Sequence, residues 1–114
     1  VSGLQNRRPS SEFMNASSPA GERIVIIPTY NEIENAEAIV RKVMSLEPAF
    51  HLLIVDDGSP DGTGAVVKQL QREFPNRLFL MERRGKLGLG TAYIAGFRFA
   101  LERGYDFIFE MDAD

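Results

Sequence analysis

The main evidence for the fold lies in one segment, Ile24-Val25-Ile26-Ile27-Pro28-Thr29-Tyr30-Asn31-Glu32. Its first four residues form a continuous β-branched run closed by Pro28, which is typical of a strand buried on both faces of a parallel sheet. Asn31, followed three residues later by Glu34, predicts a capping box and the start of a helix that ends before Pro48. The apolar positions of that helix share one face: Ile33, Ala36, Val40, Val43 and Met44.

The same alternation of strand and helix recurs through the rest of the chain. Residues 52–55, 78–81 and 107–109 predict three more strands. Two further helices are predicted after Ser59-Pro60 and after Gly88-Leu89-Gly90, with Gly104 as the stop of the second. Their inward positions are Val66, Val67, Leu70 and Phe74 in one and Ala92, Ala95, Gly96, Phe99 and Ala100 in the other. The series predicts an α/β fold: an open, mostly parallel, Rossmann-like sheet of strand order 3-2-1-4 with helices on both faces.

Length and composition limit the possible functions. The chain has 114 residues, 44% of them hydrophobic, which suits one compact domain. A net charge of −3 argues against a nucleic-acid partner. Cysteine is absent, which excludes disulfides and thiolate metal sites, so any metal must be held by oxygen or by His51, which we expect at the surface. No apolar run is long enough to span a bilayer.

Residues 1–22 show no periodicity, and we interpret them as a disordered leader. Glu12-Phe13 before Met14 looks like an expression scar, although a natural flexible arm fits the sequence equally well. Residues 23–114 are the part of the chain expected to fold.

Polar residues follow all four predicted strands at their carboxyl ends. The segments are 28–32, 56–59, 83–86 and 112–114, and they contain the carboxylates Glu32, Asp56, Asp57, Asp112 and Asp114. Ligands of open α/β sheets bind at this edge. Because like charges repel when they are gathered together, the cluster predicts a missing cation or a ligand rich in hydrogen-bond donors.

Asp112 and Asp114 can both reach one ion where the strand turns into a loop, and oxygen ligands suit Mg²⁺ or Mn²⁺; the alternative is two solvated acids. Of Asp56 and Asp57, one is expected to accept hydrogen bonds from a nucleobase, and the other can be a turn former. Tyr30 can stack on a base or ribose.

Glu32, Arg83 and Lys86 each leave two alternatives open. Glu32 can accept from a ribose hydroxyl or simply complement a helix dipole. Arg83 and Lys86 can approach a diphosphate or belong to a solvated loop. Gly88-Leu89-Gly90 is not a dinucleotide fingerprint, because it follows the third strand and lacks the third glycine.

These motifs together resemble family 2 glycosyltransferases of the GT-A fold, and in particular dolichyl- or polyprenyl-phosphate mannosyltransferases. The resemblance runs from about Arg23 to Asp114. It is carried by the segments 28–32, 55–63, 86–93 and 111–114 in that order, and residues 88–93, Gly-Leu-Gly-Thr-Ala-Tyr, are closest to the mannosyltransferase subfamily.

The resemblance implies inverting transfer of mannose from GDP-mannose to a polyprenyl phosphate with Mg²⁺ or Mn²⁺ as cofactor. Carried over by position, it implies that Pro28, Tyr30 and Glu32 contact the nucleoside, that Val55 and Asp57 hold the base, and that Asp112, Ala113 and Asp114 meet the diphosphate. Asp112 and Asp114 would be the metal ligands and the catalytic pair. It also implies contact with the cytoplasmic face of a membrane.

We further expect the chain to be the N-terminal, nucleotide-sugar-binding half of such an enzyme, ending at its Asp-x-Asp motif and unable to turn over alone. Its fourth strand would then be an open sheet edge that favours self-association. The alternatives are a UDP-sugar transferase with another acceptor and a non-catalytic nucleotide-binding fragment. A receiver-type signalling domain fits poorly, because its acidic pair should follow the first strand, and here Asp56-Asp57 follow the second.

Overall fold

The computed structural model describes residues 22–113. The predicted leader, apart from Glu22, and Asp114 lie outside the described residues. The elements run in the order β1 (Arg23–Thr29), α1 (Ile33–Met44), β2 (His51–Asp56), α2 (Thr63–Gln71), β3 (Leu78–Glu82), α3 (Leu89–Glu102) and β4 (Phe107–Glu110). The alternation of strands and helices predicted from the sequence is therefore confirmed.

The four strands form one parallel sheet in the order β3-β2-β1-β4, as predicted. β1 pairs with β2 along six residues, from Ile24 opposite His51 to Thr29 opposite Asp56. On its other side, β1 pairs with β4 from Arg23 opposite Phe107 to Ile26 opposite Glu110. Chain order therefore reverses direction between β1 and β4, which opens a crevice beyond their carboxyl ends.

Helices cover both faces of the sheet, and alternate residues of β1 supply the two cores. Val25 and Ile27 pack in the core with α1 and α2, whereas Ile24 and Ile26 pack in the core beneath α3. Small residues let α3 lie close to the sheet: a Cβ on Gly96 would be only 2.5 Å from Cγ2 of Ile26. This close approach fixes the position of α3, whose first turn borders the crevice.

The predicted capping box of α1 is wrong. Asn31 adopts a left-handed backbone conformation with φ 55°, and no side-chain hydrogen bond caps the helix from Glu32, its N-cap residue. The loop before α2 and the first residue of α2 cap it instead. Asn31 N–H donates to Ser59 Oγ (2.8 Å), Glu32 N–H to Thr63 Oγ1 (3.0 Å) and Ile33 N–H to Asp61 Oδ2 (3.1 Å). Because these partners are about 30 positions away, a local sequence pattern does not reveal them.

Ile33 also departs from the prediction that it faces the core. As the first residue of α1 it is 40% exposed, and its Cδ1 lies beside Gly62 of the capping loop. The other predicted positions of that face, Ala36, Val40, Val43 and Met44, are buried.

β4 lies at the edge of the sheet, as predicted, and is largely exposed. Phe107 and Phe109 are 48% and 44% exposed, although Phe109 makes an edge-to-face contact with Phe50. Whether this edge promotes self-association stays a prediction. Within residues 22–113, none of the helices has the length and apolar character needed to cross a bilayer.

Candidate functional site

A cavity of about 330 Å³ lies at the carboxyl edge of the sheet. Its walls come from the loops after all four strands. The lining residues are Pro28 and Thr29 at the end of β1, Tyr30 and Glu32 after it, Asp57 after β2, Lys86, Gly88 and Leu89 between β3 and the first turn of α3, and Asp112 and Ala113 after β4. The expected convergence of four polar loops on one cleft is therefore present in the structure.

Most of the sequence-derived site residues line this cavity: Pro28, Tyr30, Glu32, Asp57, Asp112 and Ala113. Val55 does not. Its side chain is 0% exposed and packs in the core beneath α3, because its position in β2 points it to that face of the sheet. The Val55 side chain therefore cannot hold a base in this conformation. Asp114 lies outside the described residues, so its position as a metal ligand stays a prediction.

Asp57 is held by Arg83 in a two-pronged ion pair. Arg83 donates from Nε to Oδ1 (2.7 Å) and from Nη2 to Oδ2 (3.0 Å), and the Leu87 N–H donates to Oδ2 (3.2 Å). The two side chains are only 8% and 12% exposed. Both carboxylate oxygens of Asp57 therefore have protein donors, although Oδ1 accepts only one hydrogen bond and Asp57 lines the cavity, so its role as base acceptor stays a prediction.

Arg83 also ties its own loop to α3. Its Nη1 donates to Oγ1 of Thr91 (3.1 Å), and its Nη2 donates to the carbonyl of Gly88 (3.2 Å). With these bonds and Asp57, the guanidinium is engaged by the protein itself. The alternative that Arg83 approaches a diphosphate is therefore not supported.

Asp56 is the turn former of the acidic pair. It is 2% exposed, accepts from the Thr29 hydroxyl (2.7 Å), and accepts from both the hydroxyl (2.7 Å) and the N–H (3.0 Å) of Ser59. Since Ser59 in turn accepts from the N–H of Asn31, Asp56 links the ends of β1 and β2. The expectation that one carboxylate of the pair is structural is met by Asp56.

Tyr30, Lys86 and Glu32 form the side of the cavity next to α1. The ammonium of Lys86 lies 4.9 Å from the centre of the Tyr30 ring, within the range of a cation–π contact. Oε1 of Glu32 accepts from the side-chain amide of Asn35 (3.1 Å). That bond leaves the second carboxylate oxygen of Glu32 able to accept from a ligand hydroxyl.

Asp112 lines the cavity from the loop after β4 and is exposed. Its Oδ1 accepts a hydrogen bond from the hydroxyl of Tyr93 on α3 (3.1 Å), which orients the carboxylate. Desolvation, helped by the bond to Asp112, raises the pKa of Tyr93 to about 12, so the phenol stays protonated and donating at neutral pH. The sequence reasoning missed this role of Tyr93, although the residue follows the cavity-lining Leu89 by one helical turn.

The residues that line this cavity supply only part of a coordination shell for a divalent cation. Residues 22–113 contain no group of three or more carboxylates or imidazoles placed to hold a metal. Mg²⁺ and Mn²⁺, however, are bound in many enzymes by one or two carboxylates together with substrate phosphates. Asp112 is an exposed carboxylate of this kind, whereas Asp57 is excluded by its pairing with Arg83.

His51 lies far from the cavity, at the opposite end of β2. The expectation of a surface residue is only partly right, because the ring is half-buried, bonds through Nδ1 to the Tyr105 hydroxyl and packs near Phe79. Burial lowers the pKa of His51. The ring contacts of His51 are the aromatic residues Tyr105 and Phe79, which gives the imidazole a packing role.

Comparison with known proteins identifies relatives of the whole folded part. The family described as Glycosyl transferase family 2 matches residues 24–114. A polyprenol monophosphomannose synthase of Mycolicibacterium smegmatis is 53% identical over 96 residues, which is 84% of this chain and 36% of that protein. An undecaprenyl-phosphate mannosyltransferase of Micrococcus luteus is 50% identical over 91 residues, which is 80% of this chain and 37% of that protein.

The chain thus spans a little over a third of the length of these curated relatives. Among solved structures, the mannosyltransferase PcManGT from Pyrobaculum calidifontis, in complex with GDP-Man and Mn²⁺, matches with a TM-score of 0.57 and 24% identity. The match covers 82% of this chain and 28% of that one. At this level of identity the likeness supports the fold, and it confirms the predicted GT-A-like arrangement.

Proposed function

The chain belongs to glycosyltransferase family 2, and on that premise we propose that it forms the donor-binding part of an inverting mannosyltransferase. The donor would be GDP-mannose, and the acceptor a polyprenyl phosphate. Two curated relatives at 53% and 50% identity carry names of this activity, one for polyprenol phosphate and one for undecaprenyl phosphate.

The observation that carries this proposal is the cavity in which the loops after all four strands meet. Its volume of about 330 Å³ lies at the lower end of the range for small-molecule sites. It offers the aromatic ring of Tyr30 and the carboxylate of Glu32 from the loop after β1, and the carboxylate of Asp112 from the loop after β4. This arrangement suits a ligand with a nucleoside at one end and phosphates at the other.

Each side chain has a distinct task in this reaction. Tyr30 would pack on the nucleoside, and Glu32 would accept from a ribose hydroxyl. Asp112, oriented by Tyr93, would hold a divalent cation together with the donor phosphates. When bound, that cation supplies positive charge to the departing diphosphate.

The acceptor phosphate is already an anion, so it needs no strong protein base to become a nucleophile. The protein's contribution to the rate would be to place donor and acceptor in line and to hold the leaving diphosphate. In the complete enzyme we place this reaction at the cytoplasmic face of a membrane, where a polyprenyl phosphate is accessible.

The donor is tested by titrating GDP-mannose, UDP-glucose and UDP-N-acetylglucosamine into the 114-residue chain with Mn²⁺, followed by calorimetry. The proposal predicts binding of GDP-mannose in preference to both uridine nucleotides. Binding of the uridine nucleotides alone would contradict the mannosyl proposal and favour a UDP-sugar transferase with another acceptor.

Catalysis needs a second test, because binding alone is also expected of a non-catalytic nucleotide-binding fragment. Transfer of labelled mannose to polyprenyl phosphate is measured with the chain as printed and with a polypeptide that continues past Asp114 in the manner of its longer relatives. We expect transfer from the longer protein and none from the 114-residue chain. Absence of transfer from the longer protein, with donor binding intact, would favour the non-catalytic alternative.

A further inference from the structure

Lys86 is a cation of the cavity wall whose task is not explained by the packing of the protein. Its ammonium lies over the Tyr30 ring at 4.9 Å, and among residues 22–113 it makes no ion pair with a carboxylate. The lysine is exposed and lines the same cavity as Asp112. An exposed cation facing a cavity is available to an anionic ligand.

The loop that carries Lys86 is fastened at its base. The Arg83 N–H donates to the Asp56 carbonyl (2.8 Å), and the Arg83 guanidinium holds Asp57. Gly58 packs so closely on this loop that a Cβ there would lie 2.7 Å from the nitrogen of Gly85. The contact between Gly58 and Gly85 and the Arg83–Asp57 ion pair therefore fix the position of the loop just before Lys86.

The charges of the cavity wall divide into paired and available groups. Asp57 and Arg83 form an ion pair, so each charge compensates the other. Of the remaining charged lining residues, Glu32 and Asp112 are acidic and Lys86 is basic. Among the described lining residues, Lys86 is thus the charged side chain that can attract a phosphate without an intervening metal ion.

From this geometry we propose that Lys86 binds the diphosphate of the nucleotide donor directly, while Arg83 acts as a positioning residue that makes no contact with the donor. The inference rests on the proposed function, since it requires a nucleoside diphosphate in the cavity. Lys86 would sit between the nucleoside packed on Tyr30 and the phosphates near Asp112. A lysine interacts with phosphate as a mobile point charge, which suits a long side chain on an exposed loop.

The test compares ligands with and without phosphate. GDP, UDP and guanosine are titrated by calorimetry into the wild-type chain and into Lys86→Met, Lys86→Gln and Lys86→Arg at one ionic strength with Mn²⁺. Lys42→Met is the matched control, because Lys42 is an exposed lysine in the last turn of α1 and does not line the cavity. Circular dichroism checks that each variant is folded.

We expect Lys86→Met and Lys86→Gln to weaken binding of the preferred diphosphate about tenfold or more, the usual effect of losing a charged hydrogen bond. Guanosine should change less than about twofold, Lys86→Arg should retain most of the affinity, and Lys42→Met should behave as the wild type. Unchanged diphosphate affinity in both neutral variants would overturn the inference. An equal loss for guanosine and GDP would also overturn it, because Lys86 would then act through the Tyr30 ring.

Failure of the proposed function gives a different result. In that case the wild-type chain itself would bind neither diphosphate. If the wild type binds UDP rather than GDP, the donor assignment fails, but the assignment of Lys86 is still decided by the comparison of UDP affinity between the wild type and the neutral variants.

Discussion

Arg83 and Asp57 join the ends of β3 and β2 through two parallel hydrogen bonds of 2.7 and 3.0 Å in a setting that is almost closed to solvent. This pair gives the acidic motif after β2 a structural task at the edge of the cavity. Asp57 holds the loop that carries Lys86 through Arg83, and Asp56 holds the loop between β2 and α2 through its hydrogen bonds to Ser59.

We predict that Asp57→Asn lowers the free energy of unfolding by about 3 kcal/mol, because removing one partner of a mostly buried pair leaves the other charge uncompensated. Urea unfolding measures this change. Glu37→Gln is the control: it breaks the pair of Glu37 with Arg41, whose side chains are 57% and 46% exposed, and should change stability little. Equal stabilities of the two variants would mean that the Arg83–Asp57 pair does not hold the loop.

Gly96→Ala should destabilise the protein by about 1–3 kcal/mol, because the added methyl meets Ile26 at 2.5 Å and must push α3 away from the sheet. Gly90→Ala is the matched control on the same helix. A Cβ at Gly90 meets nothing within 4 Å, so this variant should be neutral or slightly more stable. Thermal unfolding compares the stability of both variants with that of the wild type. A Gly96→Ala protein as stable as wild type would disprove the close packing of α3 on the sheet.

The folded state should lose stability as the pH falls below about 6.5, the usual pKa of histidine. Burial lowers the pKa of His51, opposed by Glu22 and assisted by Arg77, so the unfolded chain takes up the proton at a higher pH than the folded one does. The contribution is therefore fully present above the unfolded pKa and is lost on acidification. Urea unfolding measures the free energy of unfolding at pH 7.5 and at pH 5.5. The decrease between the two pH values should be smaller for His51→Phe than for wild type. An equal decrease in both proteins would exclude His51 as the cause of the acid destabilisation.

The strand order and the position of the cavity could be predicted from the sequence because both follow from regular patterns. A β-branched run such as residues 24–27 implies a strand buried on both faces, and right-handed crossovers leave few arrangements of four such strands. The carboxyl ends of parallel strands then necessarily share an edge. That reasoning places Tyr30, Asp57 and Asp112 around one cleft, as observed.

The sequence does not reveal which side chains from different loops pair with one another at the carboxyl edge of the sheet. Nothing local indicates that Thr63 caps α1, or that Arg83 occupies Asp57, since these pairs are 31 and 26 positions apart. The family resemblance implies a base contact for Val55, but alternation along β2 turns its side chain into the core. Which carboxylates of an acidic rim are available to a ligand depends on such contacts, and these emerge only when the loops are placed together.

We propose that Asp112 and the donor diphosphate share a divalent cation in this cavity. The affinity for GDP is measured with and without Mn²⁺ in the wild-type chain, in Asp112→Asn and in Asp106→Asn. Asp106→Asn is the control, because Asp106 is an exposed aspartate just before β4, at the other end of that strand from Asp112. We predict that Mn²⁺ strengthens binding about tenfold or more in the wild type and in Asp106→Asn, and that Asp112→Asn loses this gain while its metal-free affinity is unchanged. A gain from Mn²⁺ that is as large in Asp112→Asn as in the wild type would contradict the account.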